Sequence, residues 1–310
     1  MQILLEFLLL ILGFVMLVKG ADWFVEGASG IAGKFGIPQL VIGLTIVAMG
    51  TSAPEAAVSI TAALNGSAAL TVGNVVGSNI MNVLVILGIT AVIVPVAIQK
   101  STLQIELPFM IVMSALMILF GYTGQKITRL EGLGFIFFFV VYLSYLLFMA
   151  KKGKEETEDT KDEPIWKLIL MTVVGAVLIV WGSDFVVDSA SVIAKAFGMS
   201  ERFIGLTIVA FGTSLPELVT SVTAALKKKA DIAIGNIVGS NIFNILFVTG
   251  ITATIIPVPY DPAFLFDGIV AVAAGLLLLI GVFRKQELRR PVGVIMLLGY
   301  VGYFAKLLLA

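Results

Sequence analysis

Ten apolar runs, most of them 20 residues or longer, follow one another along the chain with short polar, glycine or proline breaks between them. They occupy residues 3–33, 38–64, 69–96, 102–122, 129–150, 165–195, 200–226, 230–256, 263–283 and 290–309. About 20 apolar residues in a helix match the hydrocarbon thickness of a bilayer, so the runs predict ten spanning helices. The apolar residues are not spaced in alternation, which excludes a transmembrane barrel. The first and sixth runs are too long for one perpendicular crossing, which predicts tilt or bending. The opening segment MQILLEFLLLILGF has no basic residues ahead of it and reads as the first spanning helix, not a cleaved signal. One hydrophilic stretch, Lys151 to Pro164 (KKGKEETEDTKDEP), reads as a mobile mixed-charge linker.

The pattern repeats. One constant shift along the chain, with no gap, carries GTSAPE (Gly50 to Glu55) onto GTSLPE (Gly212 to Glu217). The same shift carries GLTIVA at Gly43 onto GLTIVA at Gly205, and GNVVGSNIMN (Gly73 to Asn82) onto GNIVGSNIFN (Gly235 to Asn244). Asp22 falls on Asp184 and Glu26 on Asp188. Five crossings separate equivalent positions, so the second copy enters from the opposite side. Inverted repeats of this kind are an architecture of secondary transporters, with the site near the midplane. The expected division is a first repeat at 1–150, a linker at 151–164 and a second repeat at 165–310.

Composition sharpens this picture. With 59% hydrophobic and 13% charged residues, and a mean hydropathy of +1.08, the chain is an integral membrane protein. Its zero net charge gives no sign of nucleic acid. Cysteine and histidine are absent, which removes disulfides, thiolate chemistry and the commonest metal ligand. If the N-terminus lies outside, fourteen basic residues flank inner loops and five flank outer ones. The positive-inside bias therefore puts both termini outside and the linker in the cytoplasm.

The chemistry sits in the repeated motifs. Pro54 and Pro216 lack an N–H and clash with the carbonyls of Gly50 and Gly212, so the second and seventh helices should kink or break there. Carbonyls freed inside a membrane need new partners, and a cation can be one. Thr51, Ser52, Thr213 and Ser214 add hydroxyls; Glu55 and Glu217 add charge that is costly at that depth. These hard oxygens suit calcium or sodium over zinc or copper, and suit magnesium less well. Asn74, Ser78 and Asn82 recur every fourth residue on one helical face, as do Asn236, Ser240 and Asn244. Ion contact is the reading for Ser78, Asn82, Ser240 and Asn244. Polar helix–helix bonding is the reading for Asn79 and Asn241. Gly73, Gly77, Gly235 and Gly239 should allow close helix approach. Asp22, Glu26, Asp184 and Asp188 read as solvated helix ends or as an acidic vestibule. Lys227 to Lys229 and Arg284 to Arg290 read as cytoplasmic anchors.

With these motifs assembled, the chain resembles the sodium/calcium exchangers of the cation/calcium antiporter superfamily. The resemblance implies ten helices in a five-plus-five inverted arrangement, with helices 2 and 7 broken at GTSxPE. It implies calcium at Glu55, Glu217 and the carbonyls of Thr51 and Thr213. It implies sodium at Ser52, Ser214, Ser78, Ser240 and the carbonyls of Ala48 and Ala210, shared with the two glutamates and next to Asn82 and Asn244. Calcium and sodium would be cargo; no resident cofactor is implied. Asparagine at Asn82 and Asn244 leans away from potassium dependence. The lack of an acid near Ser78 and Ser240 leans away from proton coupling. No sensor domain fits in the short linker, and no obligate protein partner is implied, so a monomer in the lipid bilayer is expected. A cation channel would be expected to repeat across subunits. An intramembrane acid-dyad enzyme would more usually carry aspartates.

Overall fold

The computed structural model describes residues 2–66, 68–152, 163–198 and 210–309. The helices are α1 (Gln2–Phe35), α2 (Gln39–Thr51), α3 (Ala53–Leu64), α4 (Leu70–Ile93), α5 (Thr102–Gly124) and α6 (Arg129–Lys152). After the linker come α7 (Ile165–Ala196), α8 (Leu215–Leu226), α9 (Ala230–Ile255), α10 (Phe264–Phe283) and α11 (Arg290–Leu309). Among the described residues eight helices are long and apolar enough to cross a membrane, and α2 with α3 forms a ninth, bent span. The tenth expected span is represented by α8. Its first half, like residues 153–162 of the linker, lies outside the described residues.

The predicted break in the second span is present. Helices α2 and α3 meet at 49° around Ser52, which leaves the helical region at φ −87°, ψ 8°. Pro54 falls in the first turn of α3, where its missing N–H leaves no helical bond unmade. Ser214 adopts nearly the same backbone (φ −95°, ψ 5°), with Pro216 in the first turn of α8. Both prolines therefore start new helices rather than bending old ones. Glu55 and Glu217 consequently sit in first turns, facing the positive end of a helix dipole.

Burial sorts the helices into layers. About 94% of the apolar window of α9 and 78% of that of α4 lie inside the protein, against 17% for α1. The motif-bearing helices therefore form the centre, and α1, α6, α7 and α11 meet lipid. Helices α1 and α7 run antiparallel in close contact along a glycine stripe. Gly13 faces Gly182, Gly20 faces Gly175, and Gly27 faces Leu168 and Thr172. Small residues at this regular heptad spacing let the two backbones nearly touch.

Four two-residue strands, not foreseen in the sequence, tie the repeats together. β1 (Val96–Ala97) pairs antiparallel with β4 (Glu287–Leu288), and β2 (Lys126–Ile127) with β3 (Val258–Pro259). Each pair joins one repeat to the other, and the two pairs are images of each other under the internal repeat. Val96 and Val258 keep the register that relates the two sets of motifs, whereas Gln125 and Gln286 stand one position closer together. Both of those glutamines hold a positive φ, of 52° and 49°.

Two expectations need correcting. Only the second-repeat glycines make the close approach: Gly235 meets the backbone of Gly43, and Gly239 that of Leu44. Gly73 is loosely met by the Phe264 ring, and Gly77 meets nothing within 4 Å, because both border a cavity. Asp22 and Glu26 are neither free helix ends nor a free vestibule. The Lys227 ammonium lies 3.2 Å from Asp22 and 3.7 Å from Glu26, so Lys227 is more than a membrane anchor.

Candidate functional site

The two motifs from each repeat meet at the centre of the molecule. Glu55 and Glu217 are each 1% exposed, and each carboxyl lies in the other's field. The Ser52 hydroxyl donates to Glu217 Oε1 at 2.9 Å, a bond between one repeat's break and the other's acid. Thr51 Oγ1 lies 2.9 Å from Asn236 Oδ1 and 3.2 and 3.3 Å from the carbonyls of Val47 and Ala48. Ser240 Oγ donates to the Ala48 carbonyl at 3.3 Å, so two groups named from the sequence touch directly.

Asparagines hold this arrangement in place, in matched pairs. Asn74 Nδ2 donates to the Glu55 carbonyl (3.1 Å) and to Ser59 Oγ (2.8 Å). Asn236 Nδ2 donates to the Glu217 carbonyl (3.3 Å) and to Ser221 Oγ (2.9 Å). Each locks an acid-bearing helix turn to the next helix. Asn79 and Asn241 donate to each other's main-chain carbonyl across the centre, at 3.3 and 3.2 Å. Their side-chain oxygens accept from Asn244 Nδ2 (3.2 Å) and Asn82 Nδ2 (2.9 Å) respectively. The bonding role read for Asn79 and Asn241 is therefore seen. It has a further effect: it occupies the nitrogens of Asn82 and Asn244 and leaves their oxygens over.

Those leftovers define the chemistry. Glu55 Oε2, Glu217 Oε2, Asn82 Oδ1, Asn244 Oδ1 and Ser214 Oγ are all buried with no hydrogen-bond partner. Unpaired buried polar atoms are rare and cost about 1–3 kcal/mol each. Five such atoms gathered in the repeated motifs, two of them carboxylate oxygens, suit a cation better than a neutral solute. Helices α4 and α9 both widen into π-turns here, Asn82–Leu87 and Asn244–Thr249, and α2 does so at Gly43–Val47. Such turns often mark functional positions.

The remaining sequence-named residues are less uniform. Ser78 is buried and lines a cavity of about 340 Å³ bordered also by Thr213, Asn74, Asp267 and Tyr303. Thr213 is half-buried, whereas its counterpart Thr51 is 1% exposed. Ser214 is buried but, unlike Ser52, does not bond the opposite acid. The side chain of Ala210 lies outside the described residues, although its backbone begins the short helical turn Ala210–Gly212. Sequence reasoning named Asn74 and Asn236 but gave them no role. Their four-residue spacing from Ser78 and Ser240 was the signal available.

Because the Asn241 side chain bonds both the Asn79 carbonyl and Asn82 Nδ2, its loss should be felt. Asn241→Leu leaves Asn82 Nδ2 without an acceptor and should destabilise the protein by roughly 1–3 kcal/mol. Thermal melting in detergent checks this; an unchanged melting temperature would show that the asparagine bonds add nothing.

Comparison with known proteins follows the same lines. Residues 5–148 and 167–309 match the family described as sodium/calcium exchanger protein. The chain is 42% identical over 305 residues to a putative antiporter, CaxA, of Alkalimonas amylolytica, covering 94% of this chain and 95% of that one. It is 33% identical over 347 residues to the sodium/calcium exchanger MaX1 of Methanosarcina acetivorans, covering 99% of each. The fold superimposes on the sodium-calcium exchanger NCX_Mj, soaked with zero Na+ and Ca2+, with a TM-score of 0.86 and 29% identity. That match spans 98% of this chain and 99% of the other.

Proposed function

The chain belongs to the sodium/calcium exchanger protein family, and from that premise we propose that it is a secondary active antiporter exchanging sodium for calcium. The observation that carries the proposal is the matched set of unpartnered oxygens, one carboxylate and one amide from each repeat. Calcium is bound between Glu55 and Glu217, with the main-chain carbonyls of Thr51 and Thr213. Sodium is bound by Ser52, Ser214, Ser78, Ser240 and the carbonyls of Ala48 and Ala210, sharing Glu55 and Glu217, with Asn82 and Asn244 turning their amide oxygens to the centre. Both ions are cargo.

Two carboxylates in hydrocarbon are expensive unless neutralised. One calcium or several sodium ions can do this, but not both together, since the oxygens overlap. That competition is the coupling between the two fluxes. The loaded protein passes between its two open states and the empty one rarely does. The moving part is the pair α1 and α7, whose glycine stripe makes one smooth unit sliding past the central helices. If more than two sodium ions replace one calcium, net charge crosses and the rate follows membrane voltage. The protein works as a monomer in the cell membrane, with both termini outside and the 151–164 linker, between repeats at 1–150 and 165–310, in the cytoplasm.

Calcium-45 uptake into proteoliposomes tests this. Sodium-loaded vesicles diluted into sodium-free buffer should take up calcium. Potassium-loaded vesicles, or vesicles carrying only a proton gradient, should not. Uptake driven by protons alone, or uptake that needs potassium beside sodium, would reassign the counter-ion. Uptake without any counter-ion would make the protein a channel.

A further inference from the structure

Among the described residues three carboxyl side chains are fully buried: Glu55, Glu217 and Glu106. The first two belong to the central site, and the third has no place in it. Glu106 is 0% exposed and stands in the first turns of α5, near the membrane face that carries β1 and β4. The Tyr145 hydroxyl donates to its Oε1, but Oε2 has no partner. Two more unpartnered buried oxygens stand about one helical turn away on the same two helices, Thr102 Oγ1 on α5 and Tyr142 Oη on α6. Tyr142 is fixed there by stacking on Phe109 at 5.6 Å between ring centres. No ion pair among the described residues includes Glu106.

The second repeat puts a lysine into the equivalent place. In the register that pairs Gln125 with Gln286, Asp267 stands for Glu106, Tyr303 for Tyr142 and Lys306 for Tyr145. Tyr303 donates to Asp267 Oδ1 at 3.1 Å, and the Lys306 ammonium, over the Phe266 ring, lies within the field of Asp267. That copy has a cation near its carboxyl, on a regular helix, although the two are not within ion-pair distance. The first copy has a tyrosine where the lysine would be. It also has a π-turn, Thr102–Glu106, that the second copy lacks. The other π-turns among the described residues all adjoin the central site.

We propose that Glu106, Thr102, Tyr142 and Tyr145 form a second cation site, which takes one alkali-metal ion where the other repeat uses the ammonium of Lys306. One carboxylate balances one positive charge, so a divalent ion would leave an excess buried. A proton on Oε2, donated to the Thr102 or Tyr142 hydroxyl oxygen, is the competing way to neutralise Glu106, and it would make melting depend on pH and not on the choice of salt. Water could join these oxygens but would leave the carboxylate charged. The site is static: it neutralises Glu106 on one membrane face and does not depend on the exchange reading.

The test uses the full-length protein with the central site neutralised by Glu55→Gln and Glu217→Gln. Its melting temperature is measured in sodium chloride, potassium chloride and choline chloride at equal ionic strength, the series being run at more than one pH. The expected result is a saturable rise of a few degrees in sodium or potassium over choline, with the stronger of the two identifying the ion. Adding Glu106→Gln should remove that rise. Adding Tyr145→Lys should raise the melting temperature in choline and also remove the response to alkali ions, by giving this repeat the other's ammonium. The proposal is overturned if the neutralised protein melts alike in all three salts, if the alkali response survives Glu106→Gln, or if only pH moves the melting temperature. Should Glu106→Gln fail to fold, an alkali response persisting in folded Tyr145→Lys overturns it equally.

Discussion

Glu55→Gln should abolish sodium-driven calcium uptake while the protein still folds. The amide keeps the shape of the side chain and removes one of two central charges. Altering groups that merely orient a metal ligand typically costs 10–100-fold in affinity, so removing a charged ligand should cut uptake by at least about 100-fold. The fold should tolerate the change because it relieves an uncompensated charge in the centre, where Glu55 Oε2 has no protein partner. Glu217→Gln should behave likewise, with one difference: Glu217 accepts from Ser52, so its replacement also disturbs the break in the other repeat. Calcium-45 uptake at equal amounts of folded protein decides the matter. Undiminished uptake by Glu55→Gln would remove that residue from the site.

Gly175→Leu should be the most damaging single change outside the central site. A Cβ there would stand 2.6 Å from Phe24 N, 2.7 Å from the Gly20 carbonyl oxygen and 2.9 Å from Phe24 Cα. All three are backbone atoms and cannot swing aside. Overpacking in a core that can adjust costs about 1–3 kcal/mol; here α1 and α7 must move apart, so the loss should reach or exceed about 3 kcal/mol. Transport should fall with it if these helices move as one body. Gly134→Leu on α6 is the matched control, because a Cβ at Gly134 meets nothing within 4 Å. Size-exclusion profiles and melting temperatures of the two variants make the comparison; equal stability would show that the stripe is not what joins α1 to α7.

Much of this was legible in the sequence, and the reasons are physical. A spanning helix announces itself through about 20 apolar residues, which is why the ends of α4, α6 and α9 fall close to the expected limits. Pro54 lacks an N–H and disturbs a helix that runs through it, so a break near Ser52 could be read directly. Harder to read was which amide atoms would be consumed. Asn79 and Asn82 look alike in the sequence, but the first bonds across the centre with both ends of its amide, and the second has a bare oxygen. That difference depends on where α9 lies, which spacing along α4 does not specify. The pairing of Lys227 with Asp22 and Glu26 was hidden for the same reason, since the lysine belongs to one repeat and its partners to the other. The four short strands escaped because two residues carry no period.

Those strands bear on how the molecule is made. A chain enters the membrane from its first residue onward, so the first half is inserted before its counterpart exists. At that stage the backbone of Val96–Ala97 and of Lys126–Ile127 has nothing to pair with on either side of the bilayer. The last of those partners is reached only at Leu288. Biogenesis therefore ends with a double latch, one on each surface, and a nascent half-molecule has to wait in lipid until synthesis is nearly complete.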